Sequence, residues 1–171
     1  SFVHAGLVPR LREQEPWVVL SMRPGSQPFA ALAARMLRHE THSGSTLTSR
    51  RKAAEATGDP LEVAEARSEE EDLADALRTE EGLLAMELRA LADRRQAQVL
   101  LLVDQLEELY TLTRDDDLRR SFMAAICSAA DDPGDPVRVV FTVRDDFLGR
   151  LATSREAREA LTQVTVLQRL G

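Results

Sequence analysis

Val99-Leu100-Leu101-Leu102-Val103-Asp104 is a run of apolar residues closed by a carboxylate. A run of this kind, with no polar alternation, reads as a strand covered on both faces, as strands are inside a parallel sheet. Three further short apolar runs read as strands: Trp17-Val18-Val19-Leu20, Val137-Arg138-Val139-Val140-Phe141 and Val164-Thr165-Val166-Leu167. Helical patterns separate them. Phe2 to Leu11 is one, broken near Pro9. Pro28 to Arg38 is another, with Pro28 suited to a first turn and Phe29, Leu32, Ala33, Met36 and Leu37 on one face. Asp116 to Ala130 is a third, stopped by the turn signal Asp132-Pro133-Gly134-Asp135-Pro136. Asp146 to Leu151 and Arg155 to Leu161 are the last. Strands alternating with helices predict an α/β domain with a mainly parallel sheet flanked by helices.

The stretch between the second helix and the Val99 strand has another character. It opens with the polar loop signal His39-Glu40-Thr41-His42-Ser43-Gly44-Ser45. Leu61 to Leu77 and Glu80 to Leu91 follow, with Leu73, Leu77, Leu83, Leu84, Leu88 and Leu91 supplying apolar faces. Residues 40–97 are therefore expected to form a helical insertion packed on one edge of the sheet, within a single domain spanning 1–171.

Composition narrows the function. The net charge is −7, and the most basic stretch, Arg50-Arg51-Lys52, is three residues long and followed by Glu55, so no basic footprint for nucleic acid exists. No apolar run approaches the roughly 20 residues of a membrane span. Cys127 is the one cysteine; it sits in an apolar helical pattern and reads as a buried, inert thiol suited to a reducing cytoplasm. His39 and His42 lack the further ligands zinc needs and read as loop residues. The predominance of Ala and Arg suggests a bacterial, GC-rich source.

In open α/β sheets ligands bind outside the carboxyl ends of the strands, so the residues that end each run carry the chemistry. Asp104 after a buried strand is the Walker-B pattern, in which a carboxylate helps hold Mg²⁺ beside nucleotide phosphates; it is also an ordinary helix N-cap. Glu107 and Glu108 fall in the first turn of the next helix. There they either complement the helix dipole or orient and deprotonate a water. Thr142 and Arg144 follow the third strand with a spacing of two, which places them on one side of an extended chain. Arg144 can reach a terminal phosphate there or form a salt bridge with Asp104 or Asp146.

Four segments together resemble the novel STAND NTPase family of bacteria. Ser1-Phe2-Val3-His4-Ala5-Gly6-Leu7-Val8-Pro9-Arg10-Leu11 is similar to the helix after that family's P-loop. Val19-Leu20-Ser21-Met22-Arg23-Pro24-Gly25 is similar to its second strand and turn. Leu102-Val103-Asp104-Gln105-Leu106-Glu107-Glu108-Leu109-Tyr110 resembles its Walker-B segment, with Leu106 where Phe is usual. Val139-Val140-Phe141-Thr142-Val143-Arg144-Asp145-Asp146-Phe147-Leu148-Gly149-Arg150-Leu151 resembles its sensor strand and following helix.

The resemblance implies a P-loop NTPase fold and an ATP-dependent signalling switch using ATP and Mg²⁺. It implies that Asp104 binds the cation, that Glu107 and Glu108 line the nucleotide side, and that Thr142 and Arg144 sense the γ-phosphate. Gln105 stands where many related ATPases carry a catalytic Glu, which fits slow turnover. The partners implied are effector and repeat-sensor domains of the same chain, with self-association as a further route, and the compartment implied is the cytoplasm.

The sequence departs from the family pattern in one respect: no G-x-x-x-x-G-K-[ST] occurs, and Lys52, the only lysine, has no such context. The expectation is a truncated domain whose phosphate loop lies before Ser1. The competing reading is an interaction domain that keeps the fold without nucleotide turnover. A phospho-acceptor receiver domain fits poorly, because no acidic pair precedes Asp104 on an early strand and no lysine follows it. Most phosphate recognition in P-loop proteins comes from the loop itself. Titration calorimetry of this chain alone with Mg-ATP is therefore expected to give no saturable heat.

Overall fold

A computed structural model describes residues 6, 8–41, 60–130 and 134–151. Its centre is a three-stranded parallel sheet in the order β1-β2-β3, with β1 Trp17–Met22, β2 Gln98–Val103 and β3 Val137–Phe141. Val18 pairs with Val99 and Met22 with Val103, while Val99 pairs with Val137 and Val103 with Phe141. The strand ending at Asp104 thus neighbours the strand ending before Thr142. The fourth apolar run and the Arg155 to Leu161 helix lie outside the described residues, as do His42 and the Arg50-Arg51-Lys52 stretch.

β2 is central because nearly all of it is apolar. Val99 through Val103 are each at most 1% exposed. Each such side chain contributes roughly 1.5–3 kcal/mol on burial. On one face Val99, Leu101 and Val103 join Leu20, Met22 and Val137 in the main core. On the other, Leu100 packs with Val19 and Val8, the latter from α1 (Val8–Gln14).

Helices supply the covering layers. Phe29, Leu32, Ala33 and Met36 of α2 (Pro28–Thr41), Leu84, Leu88 and Leu91 of α4 (Leu83–Arg95), and Phe122, Met123 and Ile126 of α6 (Asp116–Ser128) all enter the main core. Phe29 and Phe122 meet edge to face with centroids 5.4 Å apart. α3 (Pro60–Thr79) lies against α2, and α5 (Glu108–Thr111) is a single turn after β2. α7 (Asp145–Leu151) follows β3.

Several boundaries differ from the sequence reading. Pro9 lies within α1, which runs on to Gln14 without a break after it, while residues 2–5 and 7 of the expected helix lie outside the described residues. α2 runs on through His39, whose carbonyl accepts a hydrogen bond from the Arg95 guanidinium, so His39 is helical and not in a loop. The helix expected from Glu80 starts at Leu83, because Gly82 takes φ 82°, a left-handed conformation that interrupts the helical path. α4 packs over β2 and β3. Cys127 is half-buried against the core.

α6 begins at a built cap. Asp115 Oδ1 accepts from the Leu118 N–H at 3.1 Å and from the Asp117 N–H at 2.9 Å. These bonds, Leu118 first, hold its carboxyl below the ordinary carboxylate range, with Arg78 and Arg119 adding to the effect. A depressed folded-state pKa stabilises the fold above the unfolded value and loses that effect as pH falls through the folded one. Asp115→Ala is expected to lower the thermal midpoint at pH 7, and the deficit relative to the native chain to shrink below about pH 4. Melting curves across pH check this.

Candidate functional site

The carboxyl ends of the three strands meet in a backbone knot. The Asp104 N–H bonds to the Met22 carbonyl at 2.8 Å, and the Thr142 N–H to the Val103 carbonyl at 3.0 Å. The chain then turns sharply: Gln105 has φ 58°, left-handed and uncommon for a residue with a side chain. That turn sends the Leu106 N–H to the Thr142 carbonyl at 2.8 Å, while Leu106 itself is fully buried.

The Thr142 hydroxyl completes the knot. It accepts from the Gln105 N–H at 2.9 Å and donates to Asp104 Oδ1 at 2.6 Å. A hydroxyl has one proton, so accepting from Gln105 leaves that proton free to point at the carboxylate. Asp104 is thereby oriented with one oxygen committed. The other, Oδ2, lies 3.7 Å from Arg23 Nε. The Asp104 side chain is 14% exposed, so the carboxylate stands at the surface of the core and not in solvent.

The remaining expected residues fall as follows. Glu107 is the cap residue of α5 without a side-chain capping bond, and its Oε2 is buried with no hydrogen-bond partner among the described residues. Glu108 Oε2 accepts from the Gly25 N–H at 3.3 Å. Arg144 lies beyond the end of β3 and pairs with Asp146 at 3.0 and 3.1 Å, with its guanidinium 5.9 Å from the Phe147 ring centroid. The structure thus joins Thr142 to Asp104 directly, whereas Arg144, 66% exposed, is held by Asp146.

Sequence reasoning passed over three contributors. Arg23 follows β1 as Asp104 follows β2, because Met22 pairs with Val103. Gly25 has φ 58° and presents both backbone groups inward: its N–H to Glu108 and its carbonyl to the Thr113 hydroxyl at 3.1 Å. Thr113 is 4% exposed, and its carbonyl takes the Arg119 guanidinium at 2.6 Å. The signal was the turn Arg23-Pro24-Gly25 directly after a strand. The apolar run ends at Leu20, and it was the ladder that carried β1 on to Met22.

Among the described residues no group of three or more His, Cys, Asp or Glu converges on a metal position. Mg²⁺ is commonly held by only one or two carboxylates plus waters and phosphates. Asp104, oriented through Oδ1, fits that role. The unpartnered Glu107 oxygen nearby in the sequence fits a bound water or an incoming donor.

A parallel sheet between helices, with an oriented carboxylate at the end of its central strand, defines an α/β domain of NTPase-like fold. The chain belongs to the novel STAND NTPase 1 family, whose model matches residues 1–170. No curated protein and no solved structure matches it. Family membership makes it a module of the signalling NTPase class. Among the described residues no helix is long and apolar enough to cross a membrane.

Thr142→Val removes the hydroxyl while keeping the shape, leaving Asp104 Oδ1 and the Gln105 N–H without their partner. It is expected to destabilise the chain by about 1–3 kcal/mol, and Thr142→Ser to recover most of the loss. Urea denaturation of both variants measures the difference.

Proposed function

We propose that the chain is the nucleotide-responsive part of an ATP-dependent signalling switch, acting with Mg²⁺ in the full-length protein. The observation that carries the reading is the Thr142–Asp104 hydrogen bond of 2.6 Å at the carboxyl end of the central strand. An unconstrained aspartate at a strand end would be an ordinary cap. This one caps nothing with its side chain among the described contacts and is instead aimed by a hydroxyl from the neighbouring strand.

In this reading Asp104 holds the cation and Thr142 keeps its carboxylate from rotating. Glu107, whose Oε2 has no partner, orients or deprotonates a water, while Glu108 is engaged by Gly25. Arg144 leaves Asp146 to meet charge on a γ-phosphate. Their ion pair is exposed, and exposed pairs are worth only about 0–1 kcal/mol, so little opposes the change of partner. When bound, Mg-ATP supplies the phosphate charge that these groups read. A two-state equilibrium between resting and assembled forms, biased by nucleotide and by other domains of the chain, converts binding into a signal. A bacterial, cytoplasmic setting belongs to the same proposal.

Asp104→Ala is expected to weaken Mg-ATP-dependent signalling of the full-length protein. Arg144→Ala is expected to narrow the preference for ATP over ADP by roughly 10- to 100-fold, the equivalent of about 1.5–3 kcal/mol for a charge-assisted contact. ATP and ADP affinities together with melting temperatures check both. An Arg144→Ala protein that melts early but keeps its nucleotide preference would show that Arg144 serves only Asp146. Indifference of both variants to nucleotide would favour the interaction-domain reading.

A further inference from the structure

Asp104 has two unlike oxygens. Oδ1 is fixed by a short hydrogen bond from Thr142. Oδ2 faces Arg23 Nε at 3.7 Å, too long for a direct hydrogen bond. The Arg23 side chain is 59% exposed, so this contact is loose and solvent-screened. One oxygen is therefore committed and the other is held by an exchangeable positive charge.

The position of that charge is built into the fold. On its upstream side, Met22 is bound into the ladder opposite Val103, and the Met22 carbonyl takes the Asp104 N–H. On its downstream side, Gly25 is tied through its N–H to Glu108 and through its carbonyl to Thr113, which Arg119 secures in turn. Gly25 needs the left-handed φ of 58° to present both groups. Arg23 thus has a short, anchored backbone on either side and a long, solvated side chain between, able to withdraw without the turn moving.

We propose that Arg23 is the resident counter-ion of Asp104, neutralising it while the site lacks a cation and yielding Oδ2 when a divalent cation enters. The two positive charges compete for one oxygen, since a guanidinium and a divalent ion cannot share it at close range without strong repulsion. Arg23 is then a positioning residue that sets how much the cation adds to nucleotide binding, and Glu108 serves the site by holding the Arg23 turn. This rests on the assignment of Asp104 under Proposed function and deepens it.

The test is binding, not turnover. The affinity of the full-length protein for ATP is measured with Mg²⁺ and again with EDTA, and the ratio of the two is compared among variants. Because Arg23 must be displaced only when the cation is present, Arg23→Gln is expected to raise that ratio roughly two- to five-fold, the range of a partly exposed ion pair. Arg23→Met, which keeps the aliphatic stem without the charge, is expected to do the same, and Arg23→Lys to stay near the native value. In an Asp104→Asn background Arg23→Gln is expected to change nothing. An unchanged ratio in both uncharged variants overturns the exchange, and so does a lowered one, which would mean that Arg23 assists the nucleotide. If Asp104→Asn alone leaves the native ratio intact, the cation assignment of Asp104 fails and the exchange falls with it. If Asp104→Asn collapses the ratio while the Arg23 variants match the native protein, only the exchange is refuted.

Discussion

Burial of β2 on both faces is the constraint from which the remaining structure follows. A strand with Val99 through Val103 nearly or wholly inaccessible needs a neighbouring strand on each side for its backbone groups and a layer on each face for its side chains. β1 and β3 meet the first need in parallel register, and parallel neighbours require crossover connections, which the helices provide. The crossover helices α2, α4 and α6 cover one face, and α1, which precedes β1, packs on the other. The helices between β1 and β2 are therefore part of the covering layer, and Leu84, Leu88 and Leu91 share a core with the strands themselves.

The site inherits its geometry from this arrangement. Parallel strands of matched register end together, which brings Arg23, Asp104 and Thr142 to one place although they are far apart in the chain. A polar group at the end of a buried strand is costly unless it is paired. Here each is: Asp104 by Thr142 and Arg23, Thr142 by Gln105, Glu108 by Gly25 and Thr113 by Gly25 and Arg119. Glu107 Oε2 is the exception among these groups: it is buried with no hydrogen-bond partner among the described residues. The left-handed backbone at Gln105 is part of the same design, since it allows successive N–H groups at 104, 105 and 106 to reach three different acceptors.

Much of this was legible in residue order. The run Val99 to Val103 announced a doubly covered strand, and the alternation of strands with amphipathic helices announced an α/β fold. Asp104, Glu107, Glu108, Thr142 and Arg144 stood out because they follow apolar runs, and the segments around them carried the family resemblance. These features depend on local pattern, on side-chain volume and on the period of a strand or helix, all of which a linear sequence displays. Helix ends were less legible. His39 continues α2 because Arg95, remote in sequence, binds its carbonyl, and Gly82 delays α4 through a backbone angle that composition does not display.

What only tertiary structure decided is which partner each polar group takes. From sequence, Arg144 had two candidate carboxylates, and the structure gives it Asp146, the one two residues away, while Asp104 receives Arg23 from the other flanking strand. The pairing of Gly25 with Glu108 and Thr113 spans 83 and 88 residues and leaves no trace in local pattern. Hydrophobic period determines which face a residue occupies, because that is set by the geometry of one element. The choice of hydrogen-bond partner is set by strand order and register, which arise only when several elements pack together.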